Sequence, residues 1–198
     1  RGITRNSAFM LFAAIIFFVT LSMYLPQPLT PNFLQNQHSL DAQNIGILGS
    51  IGNLGNALTM LVLGSVRPSL GMIIGQAMVT GFCILFLVGN SPFLFGVGYF
   101  LFGGFRLSRT MVLAFSRPLV NPGETGLAFG ILEAVAAFAI ILAPVIAGVL
   151  YDTSPRMMYE IALAATLVSI VVTSFALPRI ESKILPEPAK EMGVIEDD

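Results

Sequence analysis

The 198-residue sequence has few charges, one cysteine, one histidine and no tryptophan. A single cysteine, Cys83, excludes both an internal disulfide and a thiolate cluster that would hold a metal. With His38 as the only histidine, the chain cannot assemble a histidine-based triad or a histidine metal site. We therefore expect no catalytic residues, no metal site, no cofactor and no enzymatic activity.

The scarcity of charge determines the broad class. Charged residues make up 11% of the chain and hydrophobic residues 55%, whereas roughly 25% of residues are charged in soluble domains. Mean hydropathy is +0.83. Basic patches are absent and the acids concentrate after Ile180, so nucleic acid is not an expected partner. The composition predicts an integral membrane protein surrounded by lipid.

Six apolar runs follow one another, separated by short polar or proline- and glycine-containing breaks. They are continuous rather than alternating, which favours lipid-crossing helices over the strands of a β-barrel. Residues 1–178 are thus predicted to form one all-α bundle, and residues 179–198 a polar, disordered cytoplasmic tail. The six predicted transmembrane helices are Ser7–Leu29, Asn44–Val66, Leu70–Gly89, Pro92–Ala114, Glu124–Leu150 and Met157–Leu177.

Basic residues are strongly biased toward one side of the membrane. If the N-terminus is cytoplasmic, every lysine and arginine except Arg156 lies on or toward the cytoplasmic side, as the positive-inside rule requires. Both ends of the chain are therefore predicted to be cytoplasmic. The chain begins at Arg1 rather than methionine, and its first apolar run is too long for a signal peptide. We expect it to be part of a longer protein.

The fifth apolar run contains a single acid, Glu133, which falls inside the membrane. An ionisable group there usually faces a protein interior or a cavity and has a partner. Arg106 lies at matching depth in the fourth span, and Arg109 lies one turn nearer the cytoplasm. We expect one of these arginines to pair with Glu133. A static ion pair, coupling to a proton or a cationic substrate, and a lipid-facing position are the alternatives.

Further polar candidates occur in the first two spans. Asn53 and Asn56 are three residues apart and therefore share a helical face. They either bond to a neighbouring helix or line a substrate cavity. The prolines of Pro26–Pro31 break the first span near its outer end, and broken spans often border substrate paths. Tyr24 and Gln27 are thus cavity candidates, with a membrane-interface position as the alternative for Tyr24.

Small residues mark expected packing surfaces. Gly49 and Gly52 lie in the segment IGILGSIGNLGNAL of the second span, one side of which is nearly bare of side chains. Such a surface packs closely, either within the bundle or against a part of the protein outside this chain. The third and sixth spans have few polar side chains besides Gln76 and small hydroxyl residues such as Ser169 and Thr173. We expect these two spans to face lipid.

Two motifs resemble those of the major facilitator superfamily. The segment GSVRPSLG has glycines, Gly64 and Gly71, at the spacing of the family's cytoplasmic loop motif G-x-x-x-D-R-x-G-R, with proline replacing the acid. Gly130, Pro144 and Gly148 follow the spacing of its antiporter motif G-x8-G-x3-G-P-x2-G-G, with alanine at three positions. Small residues allow close helix packing, and a proline introduces a kink.

The resemblance implies the C-terminal six-helix half of such a transporter, built as a 3+3 inverted repeat. It also implies that substrate binds near the midplane, against an N-terminal half absent from this chain, with alternating access by rocking. The expected function is secondary active transport in a plasma (inner) membrane, as proton-coupled efflux of a small organic or drug-like molecule. An uncoupled or import-type facilitator and a non-transporting sensor or assembly module are the alternatives.

Overall fold

The computed structural model describes residues 6–182, in which all regular structure is helical. The prediction of an all-α membrane protein is confirmed. The last helix extends beyond the predicted end at Leu177 to Ser182, and the rest of the predicted tail, residues 183–198, lies outside the described residues. The α-helices of the described chain are α1 Ser7–Tyr24, α2 Thr30–His38, α3 Ala42–Leu63, α4 Pro68–Val88, α5 Pro92–Leu101, α6 Gly103–Ser116, α7 Thr125–Thr153 and α8 Met157–Ser182.

Five helical segments within residues 6–182 are long and apolar enough to cross a membrane. They correspond to all the predicted spans except the fourth, which is divided at Phe102 into α5 and α6. The Phe102 amide still donates to the Gly98 carbonyl at 3.0 Å, so the hydrogen bonding of α5 runs into the joint. At about 1.5 Å per residue, α5 and α6 together are long enough to cross a hydrocarbon core of about 30 Å.

The helices begin where local chemistry favours it. Side-chain oxygens of Asn6, Asp41 and Ser91 accept hydrogen bonds from the first free backbone amides of α1, α3 and α5. Pro68 and Pro92 occupy the first positions of α4 and α5, where a missing N–H costs nothing. These caps satisfy backbone donors at the helix starts.

Two hydrogen bonds between loops and helix ends identify the two faces of the bundle. Asn6 Nδ2, before α1, donates to the Leu119 carbonyl, after α6, at 2.9 Å. Arg156 Nη2, before α8, donates to the Leu87 carbonyl near the end of α4 at 2.9 Å. The start of the first span therefore lies on the same face as the end of the fourth, as the predicted up-and-down order requires.

The proline-rich end of the first span is broken, as predicted. After Tyr24 the chain forms a 3-10 turn, Gln27–Leu29, and then enters α2 at Thr30. The fully buried Tyr159 of α8 donates its hydroxyl hydrogen to Thr30 Oγ1 at 3.0 Å, and Thr30 Oγ1 donates to the Pro26 carbonyl at 2.7 Å. This relay satisfies a carbonyl at the break and attaches the turn to α8.

The packing order differs from the sequence order. Helix α1 packs against α7 and α8, α3 packs against α5 and α6, and α4 packs against α6 and α8. Each of these contacts joins a helix from α1–α4 to a helix from α5–α8, so the two halves of the chain hold each other in place.

Polar side chains of α4 and α8 meet one another at the contact between these two helices rather than facing lipid. Gln76 is fully buried, and its Nε2 donates to Thr173 Oγ1 at 3.2 Å while its Oε1 accepts from Ser169 Oγ at 2.7 Å. Without water in a bilayer, these groups satisfy one another across the α4–α8 seam. The exposed face of α8 is apolar and includes Val171 and Phe175.

Two consecutive glycines at the start of α6 allow close contact with two neighbouring helices. A Cβ on Gly103 would lie 2.6 Å from the carbonyl carbon of Gly55 on α3, and a Cβ on Gly104 would lie 2.5 Å from the carbonyl oxygen of Gly75 on α4. Only glycine fits such backbone approaches. The joint between α5 and α6 is therefore held between α3 and α4.

The glycines predicted to mediate packing behave differently from this pair. Gly52 contacts Tyr99, whose ring would lie 3.3 Å from a Cβ at that position. At Gly49, Gly130 and Gly148 no described atom of another helix would lie within 4 Å of a Cβ. These three glycines therefore make no close helix contact within the described chain, which for Gly49 leaves the predicted alternative of a partner outside this chain.

The three alanines of the antiporter-type motif form part of the packing surface of α7, as their small size predicts. This helix turns one stripe toward the bundle, and Gly130 and Gly148 do not belong to it. Pro144 lies on an exposed side of α7, and the helix continues past it to Thr153. The stripe residues are at most 4% exposed and include Ala136, Ala139, Ala143 and Ala147.

The loop-motif glycines lie at the α3–α4 turn. Gly64 directly follows the last residue of α3. Gly71 lies in the first turns of α4, where a Cβ would approach Met111 Cγ of α6 to 2.7 Å. The second glycine of the motif therefore allows α6 to approach this end of α4.

Candidate functional site

A cleft of about 600 Å³ opens between the helices. Its lining comes from α1 and the turn after it, from α3, from α5 and α6, and from α7, while α4 and α8 contribute no described lining residue. The structure brings the predicted cavity residues and both candidate arginines to this cleft: Tyr24, Gln27, Asn53, Asn56, Arg106, Arg109 and Glu133.

Glu133 on α7 forms an ion pair with Arg109 on α6, between Oε2 and Nη2. The Arg109 and Glu133 side chains are 28% and 50% exposed, so the pair faces the cleft. A lipid-facing position for Glu133 does not agree with this geometry. At such exposure an ion pair contributes no more than about 1 kcal/mol to stability.

Arg106 lies one turn before Arg109 and lines the same cleft. It is exposed, and its guanidinium makes no hydrogen bond or ion pair with any residue that the structure describes. A guanidinium remains charged and carries five N–H donors. These donors are available to a molecule in the cleft.

Amide side chains add further polar groups. Gln27, Asn53 and Asn56 line the cleft, and their side chains have no hydrogen-bond partner within residues 6–182. Each amide offers two donors and an acceptor oxygen. Asn53 and Asn56 share one face of α3, as their spacing predicts, and that face is turned to the cleft rather than into a helix contact.

Aromatic rings form an apolar wall beside these polar groups. The rings of Tyr24 and Phe105 have centroids 5.3 Å apart, and those of Phe102 and Phe105 lie 5.6 Å apart with planes at 13°. Tyr99 of α5 lines the cleft near Gly52. The cleft therefore combines charged groups, amides and stacked rings.

Five further residues of the fourth span line the cleft and were not predicted from the sequence. They lie three or four positions from the two arginines or from one another, a spacing that places residues on one helical face. Extending this spacing in both directions from the arginines finds them without a structure. They are Tyr99, Phe102, Phe105, Thr110 and Leu113.

The groups that line the cleft suit the binding of a small molecule. Within the described residues no group of three or more histidine, cysteine, aspartate or glutamate side chains could hold a metal ion. The one carboxylate among the described lining residues, that of Glu133, already pairs with the Arg109 guanidinium. What the lining can do is contact a small molecule through charge, hydrogen bonds and ring surfaces.

Comparison with known families assigns the chain. The family model described as the Major Facilitator Superfamily matches residues 12–195. Comparisons with curated proteins and with solved structures find no match. Members of this superfamily carry small solutes across membranes and are transporters rather than enzymes. The match over nearly the whole sequence and the fold of apolar helices show that this multi-pass membrane protein belongs to the major facilitator superfamily.

Proposed function

We propose that this chain is the C-terminal six-helix half of a secondary transporter that moves a small organic molecule by alternating access. The cleft carries the proposal. Asn53, Asn56 and Glu133 come from two different helices and face one shared, open space. A sensor or assembly module that had lost transport would have apolar side chains filling that space. An N-terminal half on the open side of the cleft would complete a substrate site near the membrane midplane.

The helix contacts support a 3+3 inverted repeat. The expected repeats are α1–α4 and α5–α8, so that α1 corresponds to α5–α6, α3 to α7, and α4 to α8. If each helix is replaced by its counterpart in the other repeat, the α1–α7 contact becomes the α3–α6 contact. In the same way, the α1–α8 contact becomes the α4–α6 contact. All four contacts are present. The α4–α8 contact converts into itself. Such symmetry is typical of transporters that bind substrate where repeats meet.

Glu133 and Arg109 are the groups that we propose for proton coupling. Protonation of Glu133 would remove its charge and release Arg109, and loss of the proton would restore the pair, so the pair has two states that a proton controls. In a plasma (inner) membrane with both ends of this chain cytoplasmic, proton entry would drive efflux of the organic substrate. The partners are then lipid, the N-terminal half, the substrate and protons.

Proton flux in proteoliposomes tests this function. The full-length transporter is reconstituted under a pH gradient, and a trapped pH dye reports proton movement as a panel of small organic molecules is added. We expect at least one compound to drive proton movement in the wild type but not in Glu133→Gln. The matched control is Glu160→Gln, because Glu160 is exposed in the first turn of α8, outside the cleft.

Two results would contradict the proposal. Proton-driven transport unchanged by Glu133→Gln would remove this residue from coupling. Failure of every compound to move across the membrane, with or without a gradient, would favour a module that does not transport. Glu133→Gln is expected to fold, since an ion pair this exposed contributes no more than about 1 kcal/mol.

A further inference from the structure

We infer that the cleft selects an organic anion, in which a carboxylate or phosphate group is joined to an apolar body. The inference rests on the proposed function and names the substrate class of the same site. It depends on the charges, amides and rings that the structure places together in the cleft.

The balance of charge in the cleft is positive. Arg106 and Arg109 line it, and Glu133 is the only acid among its described lining residues. The Glu133 carboxylate already contacts Arg109. One guanidinium, that of Arg106, therefore remains without a counter-ion among the described residues. Charges within membrane proteins face a protein interior or a water-filled cavity and usually pair, and a bound anion would pair with Arg106.

The chemistry of Arg106 fits an oxyanion better than other ligands. A guanidinium presents a planar fork of N–H donors that matches the paired oxygens of a carboxylate or phosphate. Neighbouring amides from Asn53 and Asn56 can donate to the remaining oxygens. A cationic solute would instead meet two guanidiniums and a carboxylate that is already paired, an arrangement that discriminates against it.

The apolar part of the ligand has its own surface. Tyr24, Phe102 and Phe105 form the aromatic wall of the same cleft. The cleft volume of about 600 Å³ lies within the roughly 300–1,000 Å³ typical of small-molecule sites. A molecule with a charged group and an aromatic or aliphatic body would use both surfaces at once.

Arg106 is also held in place by the fold. It lies two residues after Gly104, in the turn whose glycines fix the α5–α6 joint between α3 and α4. This attachment sets the position of the first turn of α6 relative to Asn53 and Asn56 on α3. The backbone of this turn is therefore in position before a ligand binds, and only the exposed Arg106 side chain has to be ordered.

Ligand binding to the purified full-length transporter in detergent tests the inference. The probes share one ring system and differ in charge: 2-naphthoate, 2-naphthyl phosphate, neutral 2-naphthamide and cationic 2-naphthylmethylammonium. Calorimetry on the wild type should show at least one of the two anions binding tenfold or more tightly than the amide and the cation. A preference between the two anions distinguishes a carboxylate from a phosphate substrate.

Variants assign the selectivity to a residue. Arg106→Gln should weaken anion binding by roughly ten- to a hundredfold, since hydrogen bonds to charged groups are the stronger ones, and should leave amide binding unchanged. Arg106→Lys should retain part of the affinity because it keeps the charge without the fork. Arg67→Gln is the matched control, because Arg67 is exposed between α3 and α4 and does not line the cleft.

Three results would overturn the inference. They are absence of anion binding at millimolar concentration, tighter binding of the amide or cation, and anion binding that Arg106→Gln leaves unchanged. Binding does not require the two halves to move, so anion binding without transport contradicts only the proposed function. Transport of a neutral or cationic solute contradicts only the anion inference.

Discussion

Gln76 and Glu133 show two ways in which apolar helices accommodate a polar residue. Gln76 is fully buried, and all its described partners are protein groups on α4 and α8. Glu133 is half-exposed in a cleft and meets a single guanidinium. The first arrangement stabilises a helix contact. The second leaves a titratable group accessible to water and ligand, which is what a coupling residue requires.

The Gln76 cluster should matter for stability. Gln76→Leu keeps a similar volume but removes the hydrogen bonds to Ser169 and Thr173. Interhelical hydrogen bonds in membranes contribute about 0.6–1.7 kcal/mol each, so we expect a loss of about 1–3 kcal/mol in the free energy of unfolding. Denaturant unfolding in mixed micelles measures it. The control is Ser174→Ala, which removes the exposed hydroxyl beside Thr173 and should change the free energy of unfolding little. An equal loss of stability in both variants would contradict a stabilising role for the Gln76 hydrogen bonds.

Single residues also show what the sequence could and could not predict about the cleft. The helical rise placed both arginines of α6 near the depth of Glu133, so an ion pair was predictable. Which arginine forms it depends on how α6 and α7 are rotated about their axes. Rotation is determined by packing along the entire bundle, so the sequence did not distinguish Arg109 from Arg106.

Among the elements, the joint between α5 and α6 has the most consequences. It divides a span in the membrane, and Gly103 and Gly104 place it against α3 on one side and α4 on the other. The cleft residues of this span lie on both sides of the joint, including Tyr99 before it and Arg106 after it. A change in the joint would therefore alter the cleft as well as the packing.

Alanine substitutions in this span should have opposite effects. A Cβ at Gly104 would lie 2.5 Å from a backbone oxygen of α4, whereas at Gly96 the nearest atom, Ile51 Cδ1, would lie 3.5 Å away. Gly104→Ala must separate α4 from α6, and we expect a loss of about 1–3 kcal/mol. Gly96→Ala should be neutral or stabilising by up to about 1 kcal/mol, because alanine favours helix. Thermal unfolding of the purified variants measures both effects. Wild-type stability in Gly104→Ala would show that the helices are not in close contact there.

Helix ends and helix surfaces differed in how well they could be predicted. The spans began close to their capping or proline residues, and the break near Pro26 followed from local backbone chemistry. The division at Phe102 did not, since the apolar pattern continues through it. The small-residue motif of α7 predicted close packing, and its three alanines provide it, whereas Gly130 and Gly148 lie off the packing stripe. Small residues indicate that close packing is possible, but their partners are determined by the whole bundle.

At the scale of the whole molecule, two cleft-lining helices also carry large apolar surfaces. On α3, Leu61 and Val62 are 80% and 69% exposed, and on α7, Ile141 and Val145 are 67% and 66% exposed. Apolar surface of this extent is stable against lipid or against another part of the protein. Together with a cleft open on one side, it fits a half-transporter that lies in a membrane and meets a second half.

The membrane class, the fold of apolar helices and the candidate cavity residues followed from hydropathy, charge and proline positions. These features report each residue's local preference for lipid, water or helix. The pairing of α1 with α7 and of α3 with α6 could not be predicted in the same way. It depends on contacts between distant parts of the chain, and it decides which side chains meet at the cleft.

Side-specific accessibility of the cleft tests the central claim most directly. Asn53→Cys is introduced into the full-length transporter with its other cysteines, including the buried Cys83, replaced by serine. A membrane-impermeant maleimide is then applied from each side of proteoliposomes, with Val171→Cys on the exposed apolar face of α8 as the control. We predict that Asn53→Cys is labelled from both sides. A pH gradient that increases labelling from one side should decrease labelling from the other. Labelling from one side only under every condition would contradict alternating access through this cleft.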